Sequence, residues 1–155
     1  MKIVDTNILL YAVNEDSQAH VACREWLQTA LAGNEAIGLP WLNLLAFVRV
    51  STNPRVFPRP LTVSEAMGYV QGWLAAPCTV TPEPTPRHAQ VLAGLLNTSG
   101  TAANLTNDAY LAALALQADA DVVTMDRDFL RFGVRVVVPG AVSYTHLTLP
   151  TSDLV

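Results

Sequence analysis

A chain of 155 residues is one domain's length, enough to bury a core without staples. Hydrophobic residues make up 51% and charged residues 14%, and the net charge of −4 leaves no bulk basic field to announce nucleic acid. So apolar a surface hides part of its area against a partner.

Lys2 to Val4 read as a short buried strand that ends at Asp5, before Ile8-Leu9-Leu10-Tyr11 resume an apolar run. SQAHVACREWLQTALAG reads as a helix with Ser17 as N-cap, Cys23, Trp26, Leu27, Ala30 and Leu31 on one face, and Gly33 at its end. Residues 35–39 suggest a second strand and residues 40–51 a helical element. Thr62-Val63-Ser64-Glu65 has capping-box spacing and opens a helix carrying Ala66, Tyr69, Val70, Trp73 and Leu74. CTVT at 78–81 is a strand candidate. Thr85-Pro86 then start a helix with Val91, Leu92, Leu95 and Leu96 inward and Gly100 at its end. Asn107-Asp108 open DAYLAALALQADA, a clean helix. DVVTM at 121–125 is a continuous apolar strand running into Asp126, and VRVVV at 134–138 is a last strand. Strands alternating with helices predict an α/β fold with a mostly parallel sheet flanked by helices.

Cys23 and Cys78 lie far apart in apolar surroundings and read as reduced thiols of a cytoplasmic protein. No signal peptide precedes the first strand pattern. The stretch at 36–48 is too short to span a membrane and is interrupted by Pro40 and Asn43.

Three acids share one kind of position. Asp5 and Asp126 close strands, and Asp108 starts a helix. In an open parallel sheet, strand C-termini and helix N-termini lie along one edge, where ligands bind. Carboxylates gathered there repel and are costly to desolvate, and a hard divalent cation such as Mg²⁺ or Mn²⁺ relieves both costs. Each acid also has a plainer explanation: Asp5 as an Asx-turn residue, Asp108 as a helix N-cap, Asp126 as the start of the turn MDRD.

IVDTNILLYAVNEDSQAH and TNDAYLAALALQADADVVTMDRDFLRF resemble the PIN-domain VapC toxins of bacterial toxin–antitoxin pairs. LPWLNLLAFVRVSTNPRVFPRPLT resembles an actinobacterial-type branch of them. The likeness spans about residues 1–140 and implies a PIN-like three-layer sandwich and a metal-dependent endoribonuclease. It assigns Asp5, Asp108 and Asp126 as metal-binding, catalytic acids. Asp128 is a further acid beside them, and Asn7 and Thr124 are polar residues that line such sites. One departure stands out: where many PIN domains carry a Glu in the helix after the second strand, this chain has Ala46. Asn43, about one turn earlier, or Asp128 would complete the shell through water. The implied chemistry is phosphodiester hydrolysis by metal-activated water, with Mg²⁺ (or Mn²⁺) as cofactor. His20 and His88 have no serine or cysteine motif around them. Arg49, Arg55 and Arg59 form a sparse basic run that either clamps RNA phosphates or is an ordinary solvated face.

The resemblance also implies a cognate VapB-type antitoxin, inserting a segment with a basic residue near the acids, and a homodimer. Two other readings compete. The missing Glu favours a catalytically impaired PIN fold acting as a binding module. Asp5 closing the first strand favours a phosphatase of the haloacid-dehalogenase type, although Asn7 stands where that type needs a second Asp. The segment VSYTHLTLPT matches the translation of a transposase mosaic-end adapter used in sequencing libraries. The expected domain therefore covers 1–141, with 142–155 an adapter-derived tail outside the fold.

Overall fold

Lys2–Val4 puts apolar side chains on both faces of a strand, and the fold covers both. A computed structural model describes residues 1–100 and 102–141. Within them, β1 (Lys2–Val4), β2 (Ile37–Gly38), β3 (Thr79–Val80), β4 (Asp121–Val123) and β5 (Val136–Val137) form one sheet ordered β3-β2-β1-β4-β5. Every neighbouring pair is parallel; Ile3, for example, pairs with Gly38 on one side and Val122 on the other. The connections are helical: α1 (Thr6–Val13) and α2 (His20–Leu31), α3 (Trp41–Ser51) and α4 (Val63–Ala75), α5 (His88–Ser99) and α6 (Thr106–Ala118). A 3-10 helix, Arg127–Phe132, links β4 to β5.

Side-chain alternation sorts the core into two layers. Val4 and Val123 pack with Ile8, Leu9, Leu27, Leu44, Phe47, Val70 and Trp73 from α1 to α4. Their neighbours Ile3 and Val122 point the other way, onto Leu111, Leu114 and the alanines of α6 and onto Phe129 and Phe132. Helices therefore cover both faces, giving the expected three-layer sandwich. Ala109, Ala112, Ala113 and Ala115 are all buried, and their small size lets α6 lie close to the sheet. Gly38 does the same for β2: an added Cβ would lie 3.0 Å from Ile3 and 3.1 Å from Pro82.

The helix signals are mostly where the sequence puts them. Thr62 Oγ1 accepts from the Glu65 amide at 3.1 Å while the Glu65 carboxylate accepts from the Thr62 amide at 2.9 Å, a complete capping box. Gly100 closes α5 at φ 78°, a left-handed conformation suited to glycine. Two starts differ. Ser17 accepts from the Ala19 amide and Thr85 from the Arg87 amide, so each closes a turn just ahead of its helix and caps neither α2 nor α5. One helix, α1, is additional to the predicted elements. Asp5 is its N-cap, so the residue that ends β1 also begins a helix with no loop between.

The chain fills the sheet outward from β1 through β2 to β3, then crosses to the other side of β1 to add β4 and β5. The order of strands thus reverses between β1 and β4, and the crevice at their C-terminal ends is where such sheets bind ligands. The reading of 142–155 as a tail lies outside the described residues.

Candidate active site

Asp5 follows β1 and Thr124 follows β4, side by side at that crevice. The Asp5 amide continues the ladder, donating to Val123 O at 2.9 Å, and the Thr124 amide donates to Val137 O at 3.0 Å. One Asp5 carboxylate oxygen accepts from the Thr6 amide at 2.7 Å, and the other accepts from Thr124 Oγ1 at 2.8 Å. Thr124 is fully buried, and its hydroxyl is saturated. It gives its one proton to Asp5 and accepts from Asn7 Nδ2 at 3.2 Å and from the Asp126 amide at 2.9 Å. Asn7 Oδ1 in turn receives the Met125 amide at 3.4 Å. Thr124 and Asn7 therefore hold the Asp5 carboxylate and the Asp126 backbone in fixed relation.

Asp126 Oδ1 accepts from the Asp128 amide at 2.9 Å and starts the Arg127–Phe132 helix, as the turn reading of MDRD expects. Asp108 is different. The N-cap of α6 is Leu105, and Asp108 sits in the first turn with no hydrogen bond to its carboxylate among the described residues, so the N-cap explanation does not account for it.

The electrostatics tie the acids together. Burial, with the charges of Asp108 and Asp126 adding to it, raises the Asp5 carboxyl to about 6 against the hydrogen bonds from Thr124 and Thr6. Burial and the charges of Asp126 and Asp128 also raise Asp108, against the opposing charge of Arg131. None of Asp5, Asp108, Asp126 and Asp128 forms an ion pair among the described residues. The acids thus act on one another as like charges, offset only at Asp108 by the charge of Arg131, which forms no ion pair with them. No three His, Cys, Asp or Glu side chains among the described residues stand close enough to grip a metal as they are. The donor set nonetheless fits a hard divalent cation that takes one or two carboxylates and keeps several waters. Asp5 brings a half-buried carboxylate, fixed in orientation and short of counter-charge.

The remaining predicted residues have other partners. Asn43 is buried, and its Nδ2 donates to Val4 O at 2.8 Å, while its own carbonyl accepts from Thr6 Oγ1 at 3.5 Å. Its amide nitrogen thus clips α3 to the end of β1, beside Asp5. Ala46 is half-buried on α3. Arg59 is committed to a fork on Asp16, at 2.9 and 3.1 Å, with Glu15 at 4.0 Å, so it is not a free phosphate clamp. Its position just after a run of loop residues brings it to the acids that follow α1. Arg49 and Arg55 are exposed, and neither is among the charges that act on Asp5 or Asp108. The cation that does act there is Arg131. Sequence reading passed over it, although the signal was present in FLRF, three residues past Asp128. His20 Nδ1 lies 2.9 Å from Tyr11 O and His88 Nδ1 2.7 Å from Gln117 Nε2, so neither imidazole joins the acids.

Comparison with known proteins agrees with the fold. The PIN domain family matches residues 2–134. Ribonuclease VapC37 of Mycobacterium tuberculosis is 52% identical over 142 residues, covering 91% of this chain and 99% of that protein. Ribonuclease VapC33 of the same species is 39% identical, covering 85% and 92%. Among solved structures, VapBC2 from Rickettsia felis bound to a promoter DNA fragment matches with a TM-score of 0.65 at 18% identity, over 89% of this chain and 98% of that one. FitAcB from Neisseria gonorrhoeae matches with a TM-score of 0.62 at 20% identity, over 88% and 96%. The chain belongs to the PIN domain family and, within it, stands with the VapC ribonucleases.

Proposed function

We propose that this chain is the toxin of a toxin–antitoxin pair, an endoribonuclease that hydrolyses RNA phosphodiester bonds with Mg²⁺ (or Mn²⁺). The observation that carries the reading is the Asp5 carboxylate: half-buried, locked by Thr6 and Thr124, and acted on by the charges of two further acids with no ion pair of its own. Asp5, Asp108 and Asp126 would hold the metal, with Asp128 at the rim. The bound cation supplies a Lewis acid and a water of lowered pKa. Asp5 contributes a fixed orientation, because both of its oxygens already accept a hydrogen bond. Thr124 and Asn7 keep the Asp5 and Asp126 segments in register. No serine, cysteine or histidine is needed as a nucleophile, and a haloacid-dehalogenase-type phosphatase has no support once the family is PIN.

The likeness to VapBC2 and FitAcB supports an antitoxin as partner. We take the antitoxin to insert a basic residue near the acids, the toxin to act as a homodimer, and 142–155 to stand outside the domain. A cytoplasmic setting agrees with two free thiols, and among the described residues no helix is long and apolar enough to cross a membrane.

Purified chain incubated with total RNA should cut it in Mg²⁺ and stop in EDTA, and the co-purified antitoxin should inhibit the cutting. RNA that stays intact in Mg²⁺ and Mn²⁺ while still binding would instead favour the binding-module reading, which Ala46 in place of an acid on α3 supports.

A further inference from the structure

The Arg127–Phe132 helix is anchored at both ends of its register. Asp126 caps its start, and Phe129 and Phe132 are buried against α6, the helix that carries Asp108. With Phe129 and Phe132 inward, the residues between and before them turn outward. In a 3-10 helix, residues three apart eclipse. Asp128 and Arg131 therefore share one outward face, both are exposed, and the charges of both act on Asp108. Arg131 forms no ion pair and no hydrogen bond among the described residues. Arg59, by contrast, is already spent on Asp16.

We propose that Arg131 is a substrate-positioning residue that holds a non-bridging phosphate oxygen of the RNA strand as it enters the acid site. A guanidinium presents a planar fork that matches two phosphate oxygens, and it is the most weakly hydrated of the protein cations. An unpaired arginine on the rim of an acidic crevice meets two needs at once. It offsets the repulsion that the acids exert on a polyanion, and it fixes the strand by its backbone without reading a base. Its place on a short helix locked by two buried phenylalanines gives that contact a defined position. The inference rests on the ribonuclease reading.

The test is steady-state cleavage, in Mg²⁺, of a randomised single-stranded RNA pool by the wild-type chain, Arg131→Ala, Arg131→Lys and, as a control on the same helix, Arg127→Ala. Loss of one charge-assisted phosphate contact should raise KM about tenfold in Arg131→Ala, with a smaller change in kcat. The slope of log(kcat/KM) against log salt should fall by about 0.7, the contribution of one phosphate on a single strand. Arg131→Lys should restore the slope while recovering only part of KM, because lysine keeps the charge and loses the fork. Arg127→Ala should match wild type. If Arg131→Ala leaves KM and the salt slope unchanged, Arg131 only screens Asp108 and the inference is overturned. An equal loss in Arg127→Ala, or a lower melting temperature in Arg131→Lys, would overturn it as well by pointing to the helix as a whole. A wild-type chain that cuts nothing would sink the ribonuclease reading itself, a distinct outcome.

Discussion

The two ends of the sheet treat their acids in opposite ways. At the N-terminal end of the strands, Glu35, Asp119 and Asp121 are all neutralised. Lys2 Nζ lies 2.7 Å from Glu35 and 3.8 Å from Asp121, and Arg135 reaches Asp121 at 2.6 Å and Asp119 at 3.1 Å. The pairing draws Glu35 below the usual carboxylate range, mainly through the Lys2 hydrogen bond. At the C-terminal end, Asp5, Asp108 and Asp126 have no such partners, and burial pushes Asp5 and Asp108 upward. The same chain can pair carboxylates across strands, and at one end it does not. Uncompensated charge of this kind costs stability and persists where something from outside completes it.

The sharpest way to break the contrast is Asp5→Asn. Asparagine keeps the size and the N-cap acceptor, so α1 should still start correctly. It removes the charge that would hold the cation, and cleavage in Mg²⁺ should fall by at least about a hundredfold. The metal-free variant loses the bond from Thr124 Oγ1 but also a carboxylate that resists ionisation, so at neutral pH it should melt close to wild type. A variant that cuts RNA as wild type does would place the chemistry elsewhere; one that melts well below wild type would make Asp5 a structural residue.

The second break is by pH. Asp5 has a folded pKa of about 6 against an ordinary 3.8, so the folded state binds the proton more tightly. Metal-free stability should therefore be highest in acid and decline as pH rises from about 4 to 6, a loss of about 3 kcal/mol from this one group. Saturating Mg²⁺ should flatten that decline, and Asp5→Asn should abolish it. A metal-free stability that rises over this window after correction for the other acids would contradict the uncompensated site.

Much of this edge is legible in the sequence. A strand rich in apolar residues that stops at an acid is a short-range signal, and Asp5 carries it; β4 stops at Val123, two residues short of the expected end, so Asp126 caps the following helix instead of closing the strand. Asp108 needed only a helix start. What could not be read followed from short elements and from register. The eight-residue α1 is seated on β1 without a loop, and its buried positions Ile8, Leu9 and Ala12 are too few for a period to show. The Arg127–Phe132 helix is only six residues long, too short for a period to show that Phe129 and Phe132 turn inward and leave Asp128 and Arg131 outside. Asn43 looked like a spare ligand because sequence does not reveal that its amide is already used on Val4.

Away from the edge, His88 offers a smaller effect of opposite sign. Its Nδ1 lies 2.7 Å from Gln117 Nε2, and the same amide nitrogen donates to Ala113 O at 2.8 Å while Gln117 Oε1 accepts from Thr85. This fixes Nδ1 as an acceptor, and burial lowers the pKa of the imidazole below 6.5. A histidine held neutral contributes stability that is present above 6.5 and is lost as pH falls through its folded pKa. Gln117→Ala, which removes the partner, should cost about 1–2 kcal/mol at pH 7.5 by hydrogen exchange or melting, and the cost should shrink at pH 5. A cost independent of pH would mean the amide serves Ala113 and Thr85 alone.

The smallest effect belongs to the neutralised end. Arg135 is exposed, and its bonds to Asp119 and Asp121 are surface pairs of the kind worth about 0–1 kcal/mol and weakened by salt. Arg135→Ala should lower stability within that range, and the difference should shrink in 1 M salt. It should leave RNA cleavage unchanged, since the pairs sit at the opposite end of strands whose C-termini form the crevice. Here Asp121 keeps Lys2 at 3.8 Å as a second cation, so losing Arg135 leaves the cluster partly compensated. No such reserve exists beside Asp5. If Arg135→Ala costs several kcal/mol or reduces cleavage, the two ends are coupled through β4, and the separation drawn between a paired end that stabilises and an unpaired end that functions does not hold.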